Sequence, residues 1–191
     1  MPSTNAGHTL LPIARASIAR TLGRSLAANE TAPWLLDPGA CFVTLTQQGE
    51  LRGCIGSLEA RRPLLADVKA NAVAAAFHDP RFSPLVVNEL EHTEIEISLL
   101  SPMQALRFSG EAEALAQLRP GVDGVVFEFG ARRSTFLPQV WEQLPDTQEF
   151  MAHLKRKAGL PTSFWAAEVR LQRYTVSKWK ESDLASARKV A

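Results

Sequence analysis

The chain has 191 residues, with 21 basic and 20 acidic side chains, a formal charge of +1 and a hydrophobic fraction of 46%. That composition suffices for a packed core and excludes a disordered polymer. The near-neutral balance gives no electrostatic reason to expect a nucleic acid or an anionic membrane as partner.

Two cysteines, Cys41 and Cys54, are too few for a disulfide framework. No apolar run approaches the ~20 residues needed to span a bilayer. The polar first nine residues carry no targeting pattern. A cytoplasmic, reduced setting is expected.

Residues 1–9 read as a loose terminus, and 10–26 as a helix with Leu11, Ile18, Leu22 and Leu26 at helical spacing. Pro12 fits only if it lies in the first turn. After a connector broken by Pro33 and Pro38, 41–46 and 50–55 read as a hairpin. Its expected three-residue loop, 47–49, ends on Gly49, where a positive φ is easiest. An alanine-rich helix follows over 63–77, stopped by Asp79-Pro80. Residues 84–90 fit either a helical turn or a loop.

Residues 93–100 alternate, with Ile95, Ile97 and Leu99 on one face and Glu94, Glu96 and Ser98 on the other, as in a half-buried strand. A short helix is expected over 111–118. A second hairpin joins 125–129 to 134–137 across residues 130–133. Asp146, with Glu149 three residues on, reads as the N-cap of a helix that closes near Gly159 and Pro161. Residues 168–178 form a last strand or pair of strands, and 182–191 a second loose terminus. Hairpins dominate and no βαβ rhythm appears. The expected fold is α+β, with a largely antiparallel sheet and flanking helices.

Leu51-Arg52-Gly53-Cys54-Ile55-Gly56 concentrates a guanidinium, a thiol and two glycines. With the three-residue loop, Thr44 faces Arg52, Phe42 faces Cys54 and Leu45 faces Leu51. Cys41, Val43, Leu45, Leu51 and Ile55 then share the core face. Arg52 and Cys54 point the same way, roughly 7 Å apart along the strand. Cys41 lies on the opposite face, which excludes a disulfide with Cys54. A guanidinium beside a thiol favours the thiolate, and Gly53 and Gly56 leave room for a ligand. Cys54 is therefore the candidate nucleophile, and Arg52 the candidate anion clamp. The competing reading is a buried cysteine that fills space and an arginine paired with a neighbouring carboxylate.

The six-residue segment resembles the signature of the AmmeMemoRadiSam system protein A family, whose human relative is named for the Alport syndrome, midface hypoplasia and elliptocytosis chromosomal region. Gly39-Ala40-Cys41-Phe42-Val43-Thr44-Leu45, Asp79-Pro80-Arg81-Phe82 and Glu96-Ile97-Ser98-Leu99-Leu100-Ser101-Pro102 agree with it. So do Phe136-Leu137-Pro138-Gln139-Val140 and Lys157-Ala158-Gly159-Leu160-Pro161. The similarity runs over about 10–181, taken as one family domain. It implies a larger and a smaller lobe with the signature near the cleft between them. It also implies a shared pathway with a Memo-like protein and a radical S-adenosylmethionine enzyme, without naming a reaction, a substrate or a cofactor.

Glu96, in a matching stretch, is a candidate acid or base if it lies near Cys54. Arg81 could line a cleft beside Arg52, and Gln139 could hydrogen-bond a ligand. His78 reads as a helix-end histidine. No His-x-x-x-His or Cys-x-x-Cys spacing points to zinc. Three functions compete: a Cys54-dependent enzyme acting on a small anionic substrate, a non-catalytic binding subunit for such partners, and, ranked last, a nucleic-acid-binding regulator.

Overall fold

The computed structural model describes residues 5–187. Helix α1 spans Gly7–Thr21. The hairpin strands are β1, Cys41–Gln47, and β2, Glu50–Gly56. Helix α2 covers Leu64–Phe77, and β3 covers Thr93–Leu100. A short strand β4, Gln104–Ala105, and helix α3, Glu111–Ala116, lead to β5, Gly124–Phe129, and β6, Arg132–Phe136. Helix α4 spans Thr147–Lys157, β7 Arg170–Tyr174, β8 Val176–Lys180 and α5 Glu181–Ala187. Strands pair antiparallel in two four-stranded sheets, ordered β2-β1-β3-β8 and β4-β7-β5-β6. The fold is α+β.

The chain forms two compact units. The first runs to Leu100 and resumes at Ser177; the second is Ser101–Val176. In the first, α1 and α2 supply Leu10, Ile13, Ile18, Val68 and Ala72 to a core shared with Val43, Leu45, Ile95 and Ile97 of the sheet. In the second, Phe150 of α4 stacks on Trp141 with ring centroids 3.7 Å apart. Val125, Phe127, Leu154 and Leu171 complete that core. Asp146 caps α4 by accepting the N–H groups of Gln148 and Glu149, each at 2.9 Å, as its spacing predicts.

Several boundaries differ from expectation. Helix α1 starts at Gly7, so Pro12 lies inside it rather than in its first turn. A proline there removes one helical hydrogen bond. The burial of Leu10, Leu11, Ile13, Ala14 and Ile18 outweighs that loss. Helix α5 occupies part of the segment expected to be loose; residues 1–4 and 188–191 lie outside the described residues. The 168–178 region divides between two sheets, β7 joining one and β8 the other.

Both hairpin loops contain two residues. At Gln48-Gly49 both φ angles are positive, 52° and 84°, the signature of a type I′ turn. The shorter loop changes the register: Thr44 faces Cys54, Leu45 faces Gly53, Val43 faces Ile55 and Thr46 faces Leu51. A bulge beside Leu45 and Thr46 absorbs Arg52 as the extra residue. Leu51, expected in the core, is 43% exposed, because the bulge turns it to the outer face with Thr46.

Candidate functional site

Strand β2 is an edge strand, and Cys54 lies one residue past its middle. The Thr44–Cys54 pair carries the centre of the site. Thr44 Oγ1 donates to Cys54 Sγ at 3.3 Å. Cys54 N–H donates away from β1 to Asp79 Oδ2 at 2.9 Å, and Cys54 C=O accepts from Arg81 Nη2 at 3.3 Å. Such an arrangement belongs to a non-hydrogen-bonded cross-strand pair, in which side chains approach most closely. Cys54 is half-buried and Cys41 fully buried; both are free thiols. Burial, first, and the nearby Asp67 carboxylate push the Cys41 thiol far up, which leaves it protonated and inert.

The row continues across the sheet. Glu96 on β3 is the register partner of Thr44, so thiol, hydroxyl and carboxylate share one face. At the next strand Lys180 Nζ lies 3.5 Å from Glu96 Oε2. Cys54 and Glu96 are thus brought into one row, with Thr44 between them.

Arg52 is not part of it. Its Nε and Nη2 form two 3.1 Å bonds to Glu89, which also accepts from Gln47 Nε2 at 3.2 Å. The bulge explains this: an inserted residue places Arg52 on the side of Gln47, away from Thr44. The hydrogen bond from Arg52, foremost, lowers the Glu89 pKa. Arg52 is therefore a half-buried structural cation, and the arginine that contacts Cys54 is Arg81, through the Cys54 carbonyl.

The two signature glycines do not open the site to a ligand. A Cβ on Gly53 would lie 2.1 Å from the Ala75 carbonyl oxygen of α2. A Cβ on Gly56 would lie 2.2 Å from the Phe42 ring. Gly53 admits the helix and Gly56 admits the aromatic side chain. Gln139 is exposed on a 3-10 turn, Pro138–Glu142, in the second unit, whereas Cys54 lies in the first. His78 is exposed at the end of α2.

Asp79 was visible in sequence only as a turn residue, yet its carboxylate holds the site together. It is buried and receives Arg81 Nε at 2.9 Å and Nη2 at 2.7 Å, besides Cys54 N–H. The Arg81 hydrogen bond, first, holds its carboxyl well below the usual carboxylate range, against the opposing effect of burial. Arg81 also lies over the Phe82 ring at 5.4 Å. Thr44 and Asp79 both stand in the stretches quoted above, but Thr44 meets Cys54 only through the observed register and Asp79 only through the fold of the turn after α2.

Beyond the signature, a hollow of about 420 Å³ is lined by Ser57, Leu58, Glu59, Arg61, Arg62 and Asp67. Its arginines are already paired, Arg61 with Glu59 and Arg62 with Asp67. Cys54 is not among its walls. Among the described residues, no group of three or more His, Cys, Asp or Glu side chains is placed to hold a metal ion. In the same residues, no helix is long and apolar enough to cross a membrane.

Strand β2 and the Asp79-Pro80-Arg81 turn that meets it lie within a family match that covers residues 11–179, to the model described as AMMECR1. The chain belongs to the AMMECR1 family. A protein of Methanocaldococcus jannaschii is 36% identical over 173 residues, covering 88% of this chain and 86% of that one. A protein of Methanothermobacter thermautotrophicus is 36% identical over 184 residues, with coverage of 94% and 96%. The crystal structure of an uncharacterized protein from Pyrococcus horikoshii has a TM-score of 0.76 at 30% identity, covering 92% of this chain and 91% of its own. The AMMECR1 assignment thus spans both compact units.

Proposed function

We propose that this AMMECR1-family protein is a cytoplasmic thiol enzyme, or the thiol-bearing subunit of one, acting on a small anionic substrate at Cys54. The observation that carries this reading is the row of Cys54, Thr44 and Glu96 on one sheet face, with Thr44 Oγ1 donating to the sulfur at 3.3 Å. That hydrogen bond fixes where the sulfur lies on the face. Arg81 offers a cation at the Cys54 backbone, its side chain 54% exposed and anchored at one edge by Asp79. With Nε and Nη2 engaged by Asp79 and the Cys54 carbonyl, Nη1 is left to meet a carboxylate or phosphate oxygen.

The chemistry these groups support is addition of Cys54 to an electrophilic carbonyl carbon. The thiol proton passes through solvent water to Glu96, while Thr44 Oγ1 keeps donating to the sulfur. The sulfur–carbon bond forms as the carbonyl π pair moves to oxygen, and Glu96 returns the proton there.

The test is alkylation of the full chain by iodoacetamide, with modified cysteines identified by mass spectrometry. Cys54 is expected to react at least fivefold faster than free cysteine at pH 7, with Glu96→Gln and Thr44→Val each slowing it severalfold. A Cys54 rate at or below that of free cysteine overturns the proposal.

The second reading is a non-catalytic subunit that binds a Memo-like protein or a radical S-adenosylmethionine enzyme. It draws on three exposed apolar side chains, Leu51, Val86 and Val87. Val86 and Val87 border the Arg52–Glu89 pair, Val86 through its N–H bond to Glu89 at 2.9 Å, and Leu51 precedes Arg52 on the sheet's other face. Exposed apolar side chains such as the adjacent Val86 and Val87 mark contact surfaces. This reading takes precedence if Cys54 proves unreactive.

A further inference from the structure

An edge strand presents unpaired N–H and C=O groups and frays unless something covers it. At Cys54 both backbone groups of the β2 edge are taken by one ion pair: Asp79 Oδ2 accepts the N–H at 2.9 Å and Arg81 Nη2 donates to the C=O at 3.3 Å. The pair is itself closed by two bonds from Arg81 to Asp79, at 2.9 and 2.7 Å. The Arg81 N–H bonds to Asp79 Oδ1 as well, at 3.1 Å, which fixes the turn after α2. An acceptor and a donor, two residues apart, thus stand in for the missing neighbouring strand at the one residue that carries the thiol.

The Asp79 side chain is only 1% exposed. A carboxylate so buried keeps its partners because leaving them unpaired is expensive. Gly53, next to Cys54, packs on the Ala75 carbonyl, so the backbone is held from below as well as from the edge.

We infer that Asp79 is the positioning residue for Cys54: locked by Arg81, it closes the sheet edge and fixes the backbone from which the thiol reaches Thr44. The inference deepens the thiol-enzyme reading, since it explains how one sulfur is kept on one hydroxyl. It assigns the Asp79-Pro80-Arg81 turn a task at the site rather than at a helix end alone. Asp79 touches neither the sulfur nor a substrate, so it acts through the Cys54 backbone.

The experiment compares wild-type protein, Asp79→Ala and Asp79→Asn by amide hydrogen exchange and by the χ1 couplings of Cys54, both read by NMR. An asparagine side-chain oxygen still accepts the Cys54 N–H, whereas alanine cannot. Asp79→Ala is expected to speed exchange at Cys54 at least tenfold and to replace one Cys54 rotamer by an average. Core amides such as Val43 and Ile97 should stay within twofold. Asp79→Asn is expected to hold Cys54 exchange within threefold of wild type and to keep the single rotamer, a rescue that loss of stability alone does not produce.

An Asp79→Ala protein with wild-type exchange and rotamer at Cys54, or with exchange raised equally everywhere, overturns the inference. If Asp79→Ala does not fold, Arg81→Ala replaces it. Threefold faster exchange at Cys54 is then the supporting result and no change the opposing one. Slow alkylation of wild-type Cys54 defeats the enzyme reading alone, whereas unchanged exchange defeats the positioning role alone.

Discussion

At the scale of single residues, the site depends on which charged groups are already engaged. Arg52 is committed to Glu89 and Arg81 to Asp79, yet only the second pair touches Cys54. The two pairs therefore differ in consequence although their chemistry is the same. Asp79 also ties the site to pH. Its carboxyl is held below the usual range, mainly by the Arg81 hydrogen bond. A group with a depressed folded-state pKa contributes stability that is fully present above its unfolded pKa, about 3.9 for aspartate. That contribution declines as the pH falls from there through the folded value. Urea unfolding of wild type and Asp79→Asn should show a constant gap between pH 7 and 5 that narrows below about pH 4. A gap that widens on acidification contradicts the assigned direction.

At the scale of elements, the packing of β2 on α2 rests on the absence of a side chain. The Ala75 carbonyl occupies the space where a Gly53 Cβ would stand, at 2.1 Å. Backbone cannot swing aside as a long side chain does. Gly53→Ala must push α2 away from the sheet, and overpacking of this kind costs about 1–3 kcal/mol. The expected result is a lower urea midpoint with an unchanged slope, together with faster exchange at Cys54. The bulge at Arg52 belongs to the same scale. It lets one strand present Arg52 to the 3-10 turn Val87–His92 and Cys54 to the opposite face, which an unbroken period of two cannot do.

At the scale of the whole molecule, the first unit is discontinuous in sequence. The chain leaves it at Leu100 and returns at Ser177 to add β8 and α5. The return is fastened by Glu181. Its carboxylate takes Arg15 Nε and Nη2, each at 2.5 Å, and the Ile95 N–H at 2.9 Å. Arg15 in turn donates to the carbonyls of Leu90 and Thr93 at 2.9 and 2.6 Å. One interaction thus joins α1, β3 and the C-terminal segment. Glu181→Ala leaves an arginine and a backbone N–H without their acceptor, at a cost of about 1–3 kcal/mol. Glu181→Gln is expected to lose less, and thermal unfolding of the two variants measures the difference.

The sequence by itself determined the α+β class, the existence of most strands and helices, the Asp146 cap and the opposition of Cys41 and Cys54. Each follows from local periodicity or local capping chemistry, which a linear chain displays directly. It also carried the resemblance that pointed to the AMMECR1 family, to which the chain belongs. Only the tertiary structure decided the hairpin register, the bulge at Arg52, the exposure of Leu51 and the partners of the two arginines. Loop length and bulges shift register without altering the apolar pattern on either side of them. The arginine that contacts Cys54 is therefore not Arg52, two residues away in sequence, but Arg81, which reaches the Cys54 carbonyl only because the turn after α2 folds back onto the open edge of β2.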